Sequence, residues 1–210
     1  MSNKPIVLLG GGGHASVLTD ILRENKQKIA SLISPICPNG AIFSDIKVFD
    51  NDDDLVLFSA EQFEVVVAIG PQLDDSKRIN IIDMVVNKGY TFTNVLSPRA
   101  IISEYSSLGE GVQILPGAII NAGANIGEHV VINSRVVIEH DCIIGGFSHI
   151  APGAVICGGA NVAKHVFIGA GAVVLPGINI GSNSTIGANA LVDKDIPKNT
   201  TLYGCRGNIK

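Results

Sequence analysis

Two adjacent residues in the second half of the chain, His140 and Asp141, form a pair that is typical of general-base chemistry. A carboxylate beside an imidazole orients the ring and favours its protonated form, which makes the histidine a better base. An amine or hydroxyl that attacks an acyl carbon must lose a proton as the new bond forms. We therefore expect His140 to accept that proton and Asp141 to raise its basicity. The alternative is a surface pair without a role.

A glycine-rich turn near the start of the chain, Gly10 to Gly13 followed by His14, is the second candidate site. Residues 5–9 before the turn are predicted to form a buried strand, and residues 16–25 after it a helix with one apolar face. Glycines between a strand and a helix let backbone N–H groups approach an anion at the helix N-terminus. The turn therefore predicts a ligand that bears phosphate.

NAD is not the expected ligand of this turn. The dinucleotide-binding pattern requires an acidic residue about twenty positions further on, which holds the ribose. After the second expected strand, residues 28–33, the sequence has Ser34 and Pro35 instead. We therefore expect a phosphate-bearing ligand of another kind.

The element that must position His140 and Asp141 is a six-residue repeat. Ile, Leu or Val occupies every sixth position from Ile102 to Val192, sixteen times in succession, and the position four further on is small or aliphatic. Such a repeat predicts a parallel β-helix, because each unit buries its apolar side only by stacking on its neighbours. His140 and Asp141 are the third and fourth residues of their hexad, so both are expected to project outward at a corner. His129 and His165 occupy fourth positions and are expected to be exposed corners without a role.

The chain before the repeat is predicted to form a small α/β unit, with further strands at 46–48, 64–69 and 92–96 and helices at 51–59 and 75–88. The acidic run Asn51 to Asp54 is interpreted as a solvated helix start rather than a metal site. Ligands of such sheets bind beyond the carboxyl ends of the strands. This rule places five residues around one pocket, namely Gly12, Gly13, His14, Ser34 and Gly70. The predicted domains are residues 1–97, residues 98–197 and a C-terminal tail, 198–210.

Composition excludes several classes of function. The net charge is −4 and no cluster of Lys or Arg suggests nucleic acid. The apolar runs are too short to span a bilayer and no signal peptide is recognisable, so we expect a cytoplasmic protein that does not act at a membrane. The four cysteines have no metal-binding spacing, so we expect reduced thiols and no metal; they are Cys37, Cys142, Cys157 and Cys205.

Together these features resemble the bacterial sugar acetyltransferases of the sialic-acid O-acetyltransferase type, a hexapeptide-repeat family. The resemblance covers essentially the whole chain and is carried by AIG at 68–70, LSPRA at 96–100 and, most specifically, INSRVVIEHDCIIGGFSH at 132–149. It implies a Rossmann-like N-terminal domain followed by a left-handed β-helix of about five coils, with three hexads per coil. It also implies acetyl-CoA as co-substrate and three prisms that associate side by side.

The resemblance implies roles for further residues of the repeat. His149 is expected to contact acetyl-CoA, and Asn133 to play a supporting polar role near the catalytic histidine. Gly158 follows His140 by eighteen residues, hence by one coil, so its N–H is placed to receive the thioester oxygen as it becomes an oxyanion. Ala170 and Ala188 form a column of small residues along which the family places coenzyme A.

In the N-terminal domain, the resemblance implies that Gly12, Gly13 and His14 hold a nucleotide-sugar and that Gly70 lines its pocket. Many relatives carry an acidic pair where this chain has Ser34 and Pro35, so the identity of the base accommodated there stays open. The ending at 203–207 also departs from the Gly-x-Pro-Ala pattern of many relatives, so coenzyme contacts from that tail are not assumed.

The leading hypothesis is an acetyl-CoA-dependent N-acetyltransferase that acts on the 4-amino group of a nucleotide-linked deoxy sugar. The amine attacks the thioester directly, with His140 as base and no covalent enzyme intermediate. The family suggests a homotrimer with sites between subunits and a role in glycan or O-antigen assembly. The alternatives are O-acetylation of sialic acid or another sugar hydroxyl, a zinc hydratase of the carbonic anhydrase kind, and a scaffold without catalysis.

Overall fold

The structure is a computed structural model, which describes residues 4–204 of the chain. It contains two compact units, with the division between Pro98 and Arg99. Within the described range, no helix combines the length and the apolar character that a membrane span needs. The part of the predicted C-terminal tail from Cys205 onward lies outside the described residues.

The first unit is built around a parallel sheet with the strand order β3-β2-β1-β4. The central strand β1 is fully buried, and α1 turns Leu18, Ile21 and Leu22 inward. Burial of each large aliphatic side chain contributes about 1.5–3 kcal/mol. The elements in chain order are β1 (Ile6–Leu9), α1 (Gly13–Glu24), β2 (Ile29–Ile33), a 3₁₀ helix (Ala41–Phe43), β3 (Val48–Phe49), a second 3₁₀ helix (Asp52–Leu57), β4 (Glu64–Val67), α2 (Ser76–Asn87) and β5 (Val95–Leu96).

Several element boundaries in this unit differ from the predictions. Helix α1 begins at Gly13 rather than Ser16, so the last glycine of the turn already belongs to the helix. The strands predicted at 46–48 and 92–96 are observed only as the two-residue strands β3 and β5. The helix that the acidic run opens is a 3₁₀ helix, Asp52–Leu57, which ends two residues before the predicted boundary. Apolar patterns mark buried positions, but the length of a strand depends on which neighbour it pairs with.

The second unit is a left-handed parallel β-helix of two-residue strands, in which successive coils repeat every eighteen residues. Its strands form three faces. The first face contains Ile101–Ile102, Ile119–Ile120, Val137–Ile138, Val155–Ile156, Val173–Val174 and Leu191–Val192. The second face contains Ser107–Leu108, Asn125–Ile126, Ile143–Ile144, Asn161–Val162 and Asn179–Ile180. The third face contains Gln113–Ile114, Val131–Ile132, His149–Ile150, Phe167–Ile168, Thr185–Ile186 and Thr201–Leu202.

The two inward positions of each hexad fill this prism, as the repeat predicted. Every sixth residue from Ile114 to Val192 is buried, and most of the smaller residues four positions further on are buried too. Ile102 and Leu108, at the start of the repeat, are half-buried. The final strand, Thr201–Leu202, pairs with Thr185–Ile186 and extends the third face into the stretch predicted as a tail.

The fourth residue of a hexad lies at a corner and adopts a left-handed backbone conformation in several coils, including Asp141 with a φ of 58° and His129 with a φ of 54°. Aspartate tolerates this conformation better than most residues. The prediction that His129 is an exposed corner is wrong, since its relative exposure is 6%. The Phe147 ring of the next coil packs 5.1 Å from the His129 ring, and the absence of a side chain at Gly111 leaves room for the imidazole on the other side.

Candidate active site

His140 and Asp141 occupy the corner between the first and second faces, which we call the first corner (residues 140, 141, 158 and 159). Backbone hydrogen bonds to the coils on either side hold this corner. The Asp141 N–H donates to the Ala122 carbonyl at 3.1 Å, and the Gly159 N–H donates to the His140 carbonyl at 2.9 Å. The side chains of His140 and Asp141 are 66% and 73% exposed, so both project outward as the hexad position predicted.

The two side chains contact each other directly. His140 Nδ1 lies 2.9 Å from Asp141 Oδ2. Because an ionised carboxylate only accepts hydrogen bonds, this contact places the ring proton on Nδ1 and leaves Nε2 with its lone pair. The pair can therefore accept a proton at Nε2 from a group that approaches from outside the prism.

Glycines in the neighbouring coils make room for both side chains. An ideal Cβ at Gly158 would lie only 2.6 Å from His140 Nε2 and 2.7 Å from its Cε1, so the imidazole lies directly over this glycine. An ideal Cβ at Gly123, one coil in the other direction, would overlap Asp141 Oδ1. Across residues 4–204, the Gly158 N–H donates to no protein acceptor.

The other predicted coenzyme residues do not lie at the first corner within one chain. Asn133 Nδ2 lies 3.2 Å from His149 Nε2, and His149 is a buried residue of the third face with the Phe167 ring 5.0 Å away. Ala170 and Ala188 are exposed at the corner that follows the third face. The structure thus brings together Asn133 and His149 but places them apart from the corner of His140.

A hydrogen bond beside the first corner was not expected from the sequence, whereas a reduced Cys142 thiol was. The Glu139 side chain accepts a hydrogen bond of 2.9 Å from Asn121 one coil away. The Cys142 thiol is buried and donates to the Cys157 carbonyl, and this burial raises its pKa. A neutral inward thiol of this kind is part of the core, and Cys37, Cys142 and Cys157 are all free.

The first unit contains a cavity of about 430 Å³ at the carboxyl ends of its strands. The residues predicted to surround one pocket all line it, and so does Pro35; they are Gly12, Gly13, His14, Ser34 and Gly70. An ideal Cβ at Gly70 would come within 3.1 Å of His14 Cβ, so Gly70 allows close packing. Ideal Cβ atoms at Gly12 and Gly13 would meet nothing within 4 Å, so protein packing does not require these two glycines.

Two charged residues in the cavity lining, Asp52 and Lys77, were missed by sequence reasoning. The Ser34 hydroxyl, which was proposed as a ligand group, donates at 2.9 Å to the Ile36 carbonyl and accepts at 3.2 Å from the Ile36 N–H. It therefore stabilises the turn after β2. One feature of the sequence indicates that Asp52 lines the cavity, namely its position just after the strand β3. The acidic residues beside it favoured the interpretation as a solvated helix start instead.

Within residues 4–204, no group of three or more His, Cys, Asp or Glu side chains is arranged to hold a metal ion.

Comparison with known proteins gives consistent matches over both units. The family model of the PglD N-terminal domain matches residues 5–85, and that of the bacterial transferase hexapeptide (six repeats) matches residues 159–194. The acetyltransferase domain of PglB from Neisseria gonorrhoeae FA1090, solved with acetyl coenzyme A, is 25% identical with a TM-score of 0.88, and the alignment covers 97% of each chain. Perosamine N-acetyltransferase from Caulobacter crescentus, solved as a histidine variant with CoA and GDP-perosamine, is 31% identical with a TM-score of 0.86, covering 97% of this chain and 95% of that chain.

The hexapeptide repeat, together with an alignment to two acetyltransferases over nearly the full length of the chain, places the protein in the class of the hexapeptide acyltransferases. Within that class, it belongs to the family of bacterial sugar acetyltransferases that begin with a PglD N-terminal domain. The resemblance predicted from the sequence is thereby confirmed.

Proposed function

We propose that this chain transfers the acetyl group of acetyl-CoA to the 4-amino group of a nucleotide-linked deoxy sugar. The observation that carries this function is the contact between His140 and Asp141, which leaves His140 Nε2 exposed over the backbone of Gly158. The related proteins support the choice of substrates, since one was solved with acetyl coenzyme A and another, an N-acetyltransferase, with CoA and GDP-perosamine.

The reaction proceeds by direct attack. The sugar amine attacks the thioester carbonyl while His140 Nε2 accepts its proton, and Asp141 holds the ring in the required orientation. The carbonyl oxygen gains negative charge in the tetrahedral intermediate, and the Gly158 N–H, which has no other acceptor within residues 4–204, donates to it. Collapse of the intermediate breaks the carbon–sulfur bond, and the imidazolium of His140 returns the proton to the departing thiolate.

The coenzyme lies along the residues that the family resemblance assigned to it. Ala170 and Ala188 carry small exposed side chains, and their N–H groups donate to no acceptor in the described part of the chain. Amide groups of a pantetheine arm can bond to such free backbone groups at close range. His149, held beside Asn133, supplies a further polar contact.

The nucleotide part of the sugar substrate lies in the cavity of the first unit. Gly12 and Gly13 leave open space beside the first turn of α1, which has neither a capping side chain nor an acidic residue. Phosphate groups are favoured at such a helix start. His14 and Gly70 line the same cavity, with Ser34 and Pro35 at the end of β2.

The functional assembly is a homotrimer with active sites between prisms. The outward residues of the first face are all aliphatic, and such a continuous apolar strip suits contact with a second copy; they are Ile101, Ile119, Val137, Val155, Val173 and Leu191. The separation of His140 from Ala170 and Ala188 on different corners supports a site that a neighbouring prism completes. Products of this reaction class serve glycan or O-antigen assembly.

An acetyl-CoA thiol-release assay over UDP-, dTDP- and GDP-linked 4-amino sugars, with free sialic acid included, tests this function. We expect turnover of an amino-sugar nucleotide that is lost in His140→Ala, with light scattering showing a trimer. Activity on sialic acid alone would establish O-acetylation instead. No activity on any acceptor, together with bound zinc in metal analysis, would favour the hydratase alternative.

A further inference from the structure

Two charged side chains that line the cavity of the first unit have no protein partner among the described residues. They are the Asp52 carboxylate and the Lys77 ammonium, and they do not pair with each other. Charged groups that face a cavity in this way keep their hydrogen-bonding capacity for water or for a ligand. The cavity therefore offers a ligand one strong acceptor and one cation.

Asp52 differs from the other members of the acidic run. The Asn51 side chain accepts a hydrogen bond of 2.9 Å from the Asp53 N–H and so caps the 3₁₀ helix. The Asp53 carboxylate lies 3.7 Å from Lys88 and is 88% exposed. Of residues 51–54, Asp52 alone lines the cavity. The cap and the ion pair thus account for its neighbours, whereas neither engages Asp52.

The sheet brings Asp52 to the place where a ribose-binding acid is missing. Strands β2 and β3 are parallel neighbours, and the Ser34 N–H donates to the Phe49 carbonyl at 2.8 Å. The chain that follows Phe49 therefore leaves the same edge of the sheet as the chain that follows β2. A dinucleotide site of this topology uses an acid after the second strand to bind ribose hydroxyls. Asp52 supplies that carboxylate from the adjacent strand.

Lys77 provides the opposite charge. It is the second residue of α2, and the first turn of this helix contains no acidic residue. A lysine ammonium is a common partner of phosphate oxygens. The cavity volume of about 430 Å³ falls within the range of about 300–1,000 Å³ that is typical of small-ligand sites. It is large enough for the nucleotide portion of a substrate.

We propose that Asp52 accepts hydrogen bonds from the ribose hydroxyls of the nucleotide and that Lys77 binds its diphosphate. This inference rests on the proposed function, in which the cavity holds the nucleotide of the sugar substrate. It narrows the substrate class to ribonucleoside diphosphate sugars, such as those of UDP and GDP. A 2′-deoxyribose nucleotide such as dTDP lacks a hydroxyl donor and leaves the Asp52 carboxylate incompletely bonded.

The test for Asp52 is titration calorimetry of the full-length protein with UDP, GDP, dUDP, dGDP and dTDP, without acetyl-CoA. For whichever base binds, we expect the ribonucleotide to bind about tenfold to a hundredfold more tightly than its 2′-deoxy counterpart, because a hydrogen bond to a charged group is lost. Asp52→Asn should bring this ratio close to one. The matched control Asp53→Asn, in the same run but outside the cavity, should keep the wild-type ratio.

The test for Lys77 compares the preferred nucleoside diphosphate with its unphosphorylated nucleoside. Lys77→Met should weaken binding of the diphosphate about tenfold and leave nucleoside binding unchanged, since only a phosphate contact is removed. Lys88→Met, which removes a lysine outside the cavity lining, should change neither affinity. Equal affinity for ribo- and deoxyribonucleotides, or a ratio unaffected by Asp52→Asn, would overturn the proposal. These results do not depend on acetyl transfer, so failure of the proposed function would be recognised separately.

Discussion

The corner at His140 and the cavity of the first unit differ in how they present functional groups. At the corner, both side chains are more than half exposed and rest on glycines of adjacent coils. In the cavity, polar groups from several strand ends and helix starts enclose about 430 Å³. A flat-sided solenoid can hold a reactive pair in accurate register but cannot surround a ligand. An α/β sheet surrounds a ligand readily, because loops and helix starts meet at the carboxyl ends of its strands.

Under the proposed function, this difference assigns proton transfer to the repeat and nucleotide recognition to the first unit. The repeat positions His140 through a backbone pattern that hardly varies from coil to coil, so the local sequence decides which corner carries a histidine beside an aspartate. The cavity depends on loops between elements, so small changes there would alter which ligand it can accept. The comparison therefore predicts that changes at the corner affect the rate and changes in the cavity affect affinity.

The largest expected effect is that of His140→Asn, which should change the rate of acetyl transfer without changing nucleotide affinity. His140→Asn removes the base while keeping a polar side chain, so kcat for acetyl transfer should fall by about 10²–10⁴-fold. The affinity of the cavity for a nucleoside diphosphate should stay at the wild-type value, as measured by calorimetry. His165→Asn, a change at an exposed corner elsewhere in the prism, should leave both properties intact. A parallel loss of nucleotide affinity in His140→Asn would contradict the separation.

The second prediction compares alanine substitutions at two adjacent glycines, Gly158 and Gly159, to test whether the His140 ring needs the space above Gly158. Gly158→Ala places a methyl group 2.6 Å from His140 Nε2 and must displace the ring, so kcat should fall about tenfold to a hundredfold. Gly159→Ala meets no atom within 4 Å but has a φ of +68°, so it should lower the free energy of unfolding by about 1–2 kcal/mol and keep the rate. Steady-state kinetics and denaturant unfolding measure the two effects. Equal rates for both variants would show that the ring does not need this space.

The third and smallest effect concerns Asp141. Gly123→Ala would overlap Asp141 Oδ1 and move the carboxylate away from His140 Nδ1, so we expect kcat to fall about tenfold with an altered pH profile. Gly177→Ala has a similar φ of +71° and open space around it, so it carries the same backbone strain without the overlap. Both variants should lose similar stability, and only Gly123→Ala should lose rate. An unchanged pH profile in Gly123→Ala would contradict the proposal that Asp141 orients the His140 ring.

Much of the prism could be predicted from the sequence because its signal repeats. A strictly periodic apolar residue defines the inward side of every coil, and the third and fourth hexad positions then project outward, as observed for His140 and Asp141. The same rule failed at His129, where the aromatic ring of Phe147 in the next coil covers the corner. The contact between His129 and Phe147 depends on which residues stand eighteen positions apart. A rule that considers each hexad position separately does not predict such a contact.

The cavity was predicted less completely. Its glycines and His14 follow from the strand-turn-helix pattern, but Ser34 uses its hydroxyl in its own turn. Asp52 looked like one more residue of a solvated helix start, because its neighbours fit that description well. Only the pairing of β3 with β2 reveals that this one carboxylate lines the cavity.

By itself, the sequence determined the parallel β-helix, its inward residues and the outward placement of the reactive pair, because burial in a repeating coil follows directly from the period of the apolar residues. Only the tertiary structure decided which polar groups meet. Stacking of coils places His140 over Gly158 and Asp141 over Gly123, and pairing of strands brings Asp52 to the edge where β2 ends. Such contacts join residues distant in sequence, so they follow from packing geometry and strand pairing rather than from local pattern.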